Sequence, residues 1–254
     1  MTTINGNSIV RGCKNDQSLD VNIQDQYTQT VTLYLHVQEA ETTLSSAASV
    51  DDTTITVTDA TGIVTGQVIT ILEGSYFYQS LVTNVATNTL TLASPLDFDF
   101  TTSASVCCGD WNLNKDGSST SIMAEICPPS NLKFDIYAIN VHVTDQTEMD
   151  SSKFGGISEL TNGILFRVVD GTTKNLALIV NNSGFQEHGF DLQFDDKAPA
   201  GYYGLHAFKS YIIKNGVSLR IDGSTNDTIQ LWIRDDLTDL NLVSCTVMGH
   251  VVEN

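Results

Sequence analysis

Apolar and polar residues alternate with a period of two along most of this chain. From Thr30 to Val37, Val31, Leu33, Leu35 and Val37 fall on one side while Thr32, Tyr34 and His36 fall on the other, the pattern of a strand with one buried face. TTITVTDA (Thr53 to Ala60) alternates in the same way, and QVITILEG, SYFYQSLVTNV and TLTLASPL continue the series, punctuated by Gly62, Gly66 and Asn88. About five short strands joined by tight turns within residues 44 to 106 predict a small barrel or sandwich. Downstream, LKFDIYAINVHVTD, GILFRVVDG, KNLALIVNN, FDLQFDD, YIIKNGVSLRIDG, DTIQLWIRDDL and LVSCTVMGHVV predict about seven longer strands at regular spacing, the cadence of a sandwich or jelly roll. The Lys214 to Gly216 turn sits between two apolar alternations and predicts a hairpin. The window closest to helical, Leu35 to Ala48, lacks the apolar spacing of a helix.

The fold class expected is therefore all-β: a jelly-roll β-sandwich with an inserted small β-barrel. Residues 1 to 43 supply a turn-rich lead and the first sandwich strand, 44 to 106 the inserted barrel, and 107 to 254 the rest of the sandwich. Insertion at a loop tip is tolerated because the loop ends already lie close together.

Composition narrows the function. Twelve Lys and Arg stand against 30 Asp and Glu, a net charge of -18. A surface this acidic repels phosphate, which argues against nucleic-acid binding and against an anionic membrane surface. The start, MTTINGNSIVRGC, has no apolar stretch of a secretory signal, and no run of 18 apolar residues predicts a membrane helix. Cys13, Cys107, Cys108, Cys127 and Cys245 are odd in number and form no CxxC pair. They read as reduced thiols of a protein made in a cytoplasm.

Several phrases resemble structural proteins of tailed bacteriophages. DDTTITVTDATGIVTGQVITI followed by YQSLVTNVATNTLTLASPLDF resembles a module common in such proteins. SSKFGGISELTNGILFRVVDGTTKNL, DDKAPAGYYG, KNGVSLRIDGSTNDTIQLWIRDDLTDL and VMGHVV resemble their second part. The resemblance covers most of the chain from about residue 30 and has no active-site motif. It implies a virion accessory protein of the neck, collar or tail, or one decorating the head, made in the host cytoplasm, with other virion proteins as partners.

Few residues suggest site chemistry. Asn112, Asn114 and Asp116 before Gly117 place oxygens at alternate positions, as a calcium loop requires, but Met123 occupies the position of its closing acid. An Asx-rich turn explains the same residues. The pairs Asp195-Asp196 and Asp235-Asp236 lie at strand ends, where exposed carboxylates are routine. His36 and His142 fall in strands, whereas His188, His206 and His250 fall near turns or the chain end, without metal-ligand spacing. Gly155-Gly156 reads as a turn. No metal, cofactor or catalytic residue is expected.

Aromatic residues supply the interface candidates: Tyr76 and Tyr78 in the insert, Trp111 in the Asn-rich turn, and Tyr202 and Tyr203 on a loop. Alternate members of the Tyr76-Phe77-Tyr78 run could equally fill the core of the small barrel. The function expected is non-enzymatic assembly into a virion as a homo-oligomer. The alternative is a carbohydrate-binding, receptor-recognising module of a phage fibre, with a depolymerase ranked behind both.

Overall fold

The computed structural model describes residues 9–12, 19–22, 27–74, 76–197, 201–211 and 219–253. The chain folds into antiparallel sheets: one hairpin, one sheet of four strands and two of six. The hairpin pairs β1 (Ile9–Gly12) with β2 (Leu19–Asn22). The β3 strand (Tyr27–Tyr34) joins the edge of the largest sheet, the longer-stranded of the two with six strands, and after Leu35 and His36 the backbone runs straight into β4 (Val37–Thr43), the edge of the other. The single strand expected from Thr30 to Val37 is thus two strands in two sheets. Its alternation survives the change of sheet, because Val31, Leu33 and Leu35 are buried in one core and Val37 packs against that same core.

The second sheet adds β5 (Thr54–Thr56), β6 (Val68–Glu73), β7 (Tyr76–Ala86), β8 (Thr89–Leu92) and β9 (Ser105–Asp110), in the order β4-β9-β6-β7-β8-β5. No closed barrel forms among the described residues. The two ends of the sheet meet at one bridge, Leu44 with Val57, where Ser45 N donates to Thr56 O at 2.9 Å and Thr58 N donates to Thr43 O at 2.8 Å. With three residues, all paired to β8, β5 is too short to extend that bridge into a ladder. This sheet also reaches beyond residues 44 to 106 at both ends, since β4 starts at Val37 and β9 ends at Asp110.

The sandwich follows with β10 (Ile122–Ile126), β11 (Leu132–Asp145), β12 (Ile164–Asp170), β13 (Thr172–Ile179), β14 (Asp191–Asp195), β15 (Tyr203–Ser210), β16 (Leu219–Asp222), β17 (Thr228–Ile233) and β18 (Leu242–Glu253). One layer has the order β10-β17-β12-β13, and the other β14-β15-β11-β18-β3, with β16 continuing beside the first half of β11. The chain crosses repeatedly between layers, β10 to β11, β11 to β12, β13 to β14, β16 to β17 and β17 to β18, so that both layers of the sandwich are built from strands far apart in sequence. The predicted Lys214 to Gly216 hairpin lies outside the described residues.

Between β13 and β14 the chain makes one turn of helix, α1 (Asn182–Glu187), capped by Asn181, whose side chain accepts from Gly184 N at 3.1 Å. It buries Phe185, 5.2 Å from Phe190 and 6.2 Å from Phe154. Six residues are too few to show a helical period, so this element leaves no pattern in the sequence.

Two apolar cores result. The sandwich core includes Leu35, Phe134, Val141, Phe166, Leu231 and Val247. The second, inside the smaller unit, includes Leu44, Ile69, Ile71, Tyr78, Leu90 and Phe100. The β7 strand feeds both: Phe77 points into the sandwich core, its ring edge-on to Phe134 at 5.2 Å.

Candidate functional site: the outer face of the largest sheet

Period-two alternation in β11 sends Phe134, Ile136, Ile139, Val141 and Val143 inward. It leaves Asp135, Asn140, His142 and Thr144 outward, with a bulge around Tyr137 keeping the two sets in phase. Strand register then builds the outer face as rows. One row runs Ser244, His142, His206, Gln193, and the next Tyr34, Thr246, Asn140, Phe208, Asp191. Below them run Thr32, Met248, Ala138, Ser210, and then Thr30, His250, Asp135, Arg220.

The chemistry of these rows is unlike the rest of the chain. Across β15, β11, β18 and β3, the first three rows hold no carboxylate and no Lys or Arg, in a protein with 30 acids. Charge is confined to the margins. Asp191 and Asp195 lie on the edge strand β14. Asp135, 3% exposed, is held by Arg220 in a two-pronged pair at 2.6 and 2.7 Å. Phe208 (37%) and Tyr137 (36%) are the exposed large side chains here.

The rings of His142 and His206 stack at 4.2 Å and 5°, and His206 Nε2 lies 3.0 Å from Asp195 Oδ2. Burial holds the pKa of His142 below its usual value, His206 lowers it further, and Asp195 opposes both. His206 sits inside β15 rather than near a turn, and His250 lies within β18 close to the chain end. Sixty-four positions separate His142 from His206, and only the β11–β15 register brings them together.

The five aromatic candidates do not gather. Tyr76 is 47% exposed, with its ring 4.9 Å from that of Phe98. Tyr78 is buried in the smaller core and donates its hydroxyl to Ser94 O at 2.7 Å, so it is a packing residue rather than an anchor. Trp111 is half-buried, donating Nε1–H to Gly66 O at 2.8 Å and lying edge-on to Tyr34 at 5.4 Å. Tyr202 and Tyr203 are half-buried; Tyr203 opens β15 instead of lying on a loop, and the Lys197 ammonium is 5.8 Å from its ring.

In the candidate calcium loop, Asn112 and Asp116 each give a side-chain oxygen to the chain itself. Asn112 Oδ1 accepts from Asn114 N at 3.2 Å and from Val243 N at 3.1 Å, and Asp116 Oδ1 accepts from Ser118 N at 2.9 Å. Asn114 Nδ2 donates to Leu240 O at 2.9 Å. They form successive Asx turns that tie this segment to the end of the sandwich. Among the described residues, no group of three or more His, Cys, Asp or Glu side chains is placed to hold a metal ion.

The Asp235-Asp236 pair also has structural partners. Asp235 accepts from the amides of Thr161, Asn162 and Gly163 at 3.1, 2.8 and 2.6 Å, and Asp236 Oδ1 accepts from Thr238 N at 3.0 Å. Asp145, buried, accepts from Gly156 N at 2.7 Å, which closes the Gly155-Gly156 turn over it.

A concave feature of about 280 Å³ lies where the smaller unit meets the end of β10, between His36, Phe77, Cys107, Glu125, Cys127 and Pro129. Burial lowers the pKa of His36 and raises those of both thiols. Among the described residues, no helix is long and apolar enough to cross a membrane. No family model, curated protein or solved structure matches this chain.

Proposed function

We propose that this chain is a non-enzymatic structural protein of a tailed-phage particle, working by assembly with other virion proteins. The observation that supports this best is the charge-free part of the outer sheet face, three rows across β15, β11, β18 and β3, in a chain of net charge -18. Apolar and neutral polar surface set in an acidic rim is what a protein interface buries, since its core is depleted in charge. The candidate site residues, by contrast, are committed to backbone amides, as Asp235 and Asn112 are. The phage assignment itself rests on the phrases of sequence that resemble virion proteins. Mass spectrometry of purified particles of the encoding phage tests it: the reading requires the chain in many copies per particle, and its absence from intact particles would sink it.

A carbohydrate-binding role draws on one observation, the exposed Tyr76 ring against Phe98. Glycan-array binding lost in Tyr76→Ala would favour it over assembly.

A further inference from the structure

We infer that the cavity beside His36 is a binding site for one neutral aromatic ring carrying a hydroxyl donor, a phenol of the kind a tyrosine side chain presents. The inference stands apart from the assembly reading above. One wall of the cavity is a face of the smaller unit's sheet, where register sets Thr70 beside Cys107 and Gln79, and Leu72 beside Phe77. The other wall is the end of β10 and the turn after it, Ile126 to Pro129. His36, in the link between β3 and β4, forms a bridge with Glu125 of β10 and so lies where the two walls meet.

His36 selects the donor. It is 9% exposed, and its Nδ1 lies 3.3 Å from Tyr34 O. A carbonyl oxygen only accepts, so Nδ1 carries the proton. Burial lowers the pKa of the ring, against the opposing effects of the Tyr34 bond and Glu125, and leaves it neutral above the ordinary 6.5. Nε2 is then a lone-pair acceptor, and no described residue donates to it. Around it, Gln79 accepts from Tyr34 N at 2.7 Å and donates to Thr70 at 3.2 Å, while Glu125 accepts from Gln230 at 3.2 Å. An acceptor left open in a largely apolar cavity is satisfied by a ligand that brings a donor. The ligand is neutral because Glu125 repels an anion and an ammonium would lose its hydration against Leu72, Phe77 and Ile126. Size limits it to one ring. An apolar cavity of about 150 Å³ holds benzene, and 280 Å³ adds room for substituents. The Phe77 ring on one wall and Pro129 on the other give that ring apolar surface to lie against.

Nuclear magnetic resonance titration of the intact protein with p-cresol, toluene and 4-methylbenzoate tests this. The methyl signals of Leu72 and Ile126 report occupancy, and the imidazole nitrogens of His36 report the hydrogen bond. With p-cresol both sets should move and saturate, with Nε2 shifting and Nδ1 staying protonated. Toluene should bind about fivefold more weakly, the worth of one net hydrogen bond, and 4-methylbenzoate should not bind. A cavity without an open acceptor gives the reverse order, because the hydroxyl would be buried unpaired. Toluene binding more tightly than p-cresol, 4-methylbenzoate binding as well as either, saturation with Nε2 unmoved, or no saturable shift each overturns the inference. In His36→Phe, checked for folding by circular dichroism, the preference for p-cresol should vanish; a folded variant that keeps it also overturns the inference. The wild-type comparison decides the matter if that variant does not fold. N-acetyltyrosinamide separates the sources of the ring: binding as tight as that of p-cresol identifies a tyrosine side chain of another protein, and binding of p-cresol alone identifies a free phenol.

Discussion

Phe77 and Tyr78 are adjacent in the chain and buried in different cores, Phe77 beside Phe134 in the sandwich and Tyr78 among Ile69, Leu90 and Phe100 in the smaller unit. The β7 strand is therefore the wall between them, with one buried ring on each face. Replacing Phe77 by Ala should cost about 3–4 kcal/mol and should loosen the smaller unit from the sandwich, visible as faster proteolysis between residues 37 and 110. Tyr78→Phe removes only the hydroxyl bond to Ser94 O and should cost about 1 kcal/mol. Urea unfolding of both variants would show this, and equal losses would contradict the two-core arrangement.

Asp235 holds the loop before β12 by three amides, those of Thr161, Asn162 and Gly163. Thr161 and Asn162 are exposed, so water replaces part of what is lost, and Asp235→Ala should cost about 1–2 kcal/mol. Hydrogen exchange at residues 161 to 163 should accelerate while exchange in β11 stays slow. Unaltered exchange at those three amides would refute the clamp.

Gly155 has φ +58°, and a Cβ there would lie 2.0 Å from Asp145 Oδ2. Gly155→Ala therefore combines a left-handed backbone with displacement of the buried carboxylate that accepts from Gly156 N. A loss of about 2–3 kcal/mol is expected, measured as a lowered denaturant midpoint. A neutral substitution would mean that the turn can open without disturbing Asp145.

Histidine protonation should set the acid side of the stability profile. Burial holds both His36 and His142 below the ordinary 6.5, so the folded chain keeps them neutral where the unfolded chain already takes up protons. Their contribution is harmless above 6.5 and becomes destabilising as the pH falls below it toward the folded values. The urea midpoint should fall between about pH 7.5 and about pH 5.5, and the fall should shrink in His142→Gln. An identical fall in that variant would move the effect to other groups.

Thiol reactivity should follow exposure. Cys127 is exposed, Cys107 half-buried, and Cys108 and Cys245 buried, with the thiol of Cys108 pushed up to about 12 by burial and that of Cys245 raised by the same cause. In a Cys13→Ser background, a thiol reagent at about pH 8 should label Cys127 first and reach Cys108 and Cys245 only on unfolding. Prompt labelling of Cys245 would contradict its place in the sandwich core.

The strands were legible because alternation survives wherever one face is buried: LKFDIYAINVHVTD is β11 from end to end, and FDLQFDD contains β14. Legibility failed where local pattern gives no information. At Leu35 and His36 the chain changes sheets without breaking its period, so one strand was read in place of two. The β15 strand hides behind its own content, since Gly204 and Ala207 interrupt the apolar signal and Tyr202-Tyr203 looks like a loop. For the candidate site, the Asx turns around Asn112 could be read locally. The outer face could not, because its rows join β3, β18, β11 and β15, which are far apart in sequence, and composition averaged over the chain conceals a neutral patch within an acidic whole.

One more consequence follows from β4 and β9. They are hydrogen-bonded neighbours along Val37–Asp110 to Thr43–Ser105, so the chain leaves for the smaller unit and returns from it at adjacent positions. To the sandwich, everything between them is the tip of a hairpin. Units of different length or shape could be exchanged at that tip while the β4–β9 stem keeps its pairing, provided that something takes the place of Phe77 beside Phe134. The fold thus joins scaffold and head through the β4–β9 pair, and because β9 also carries β6, a replacement head would have to supply a strand for that second edge.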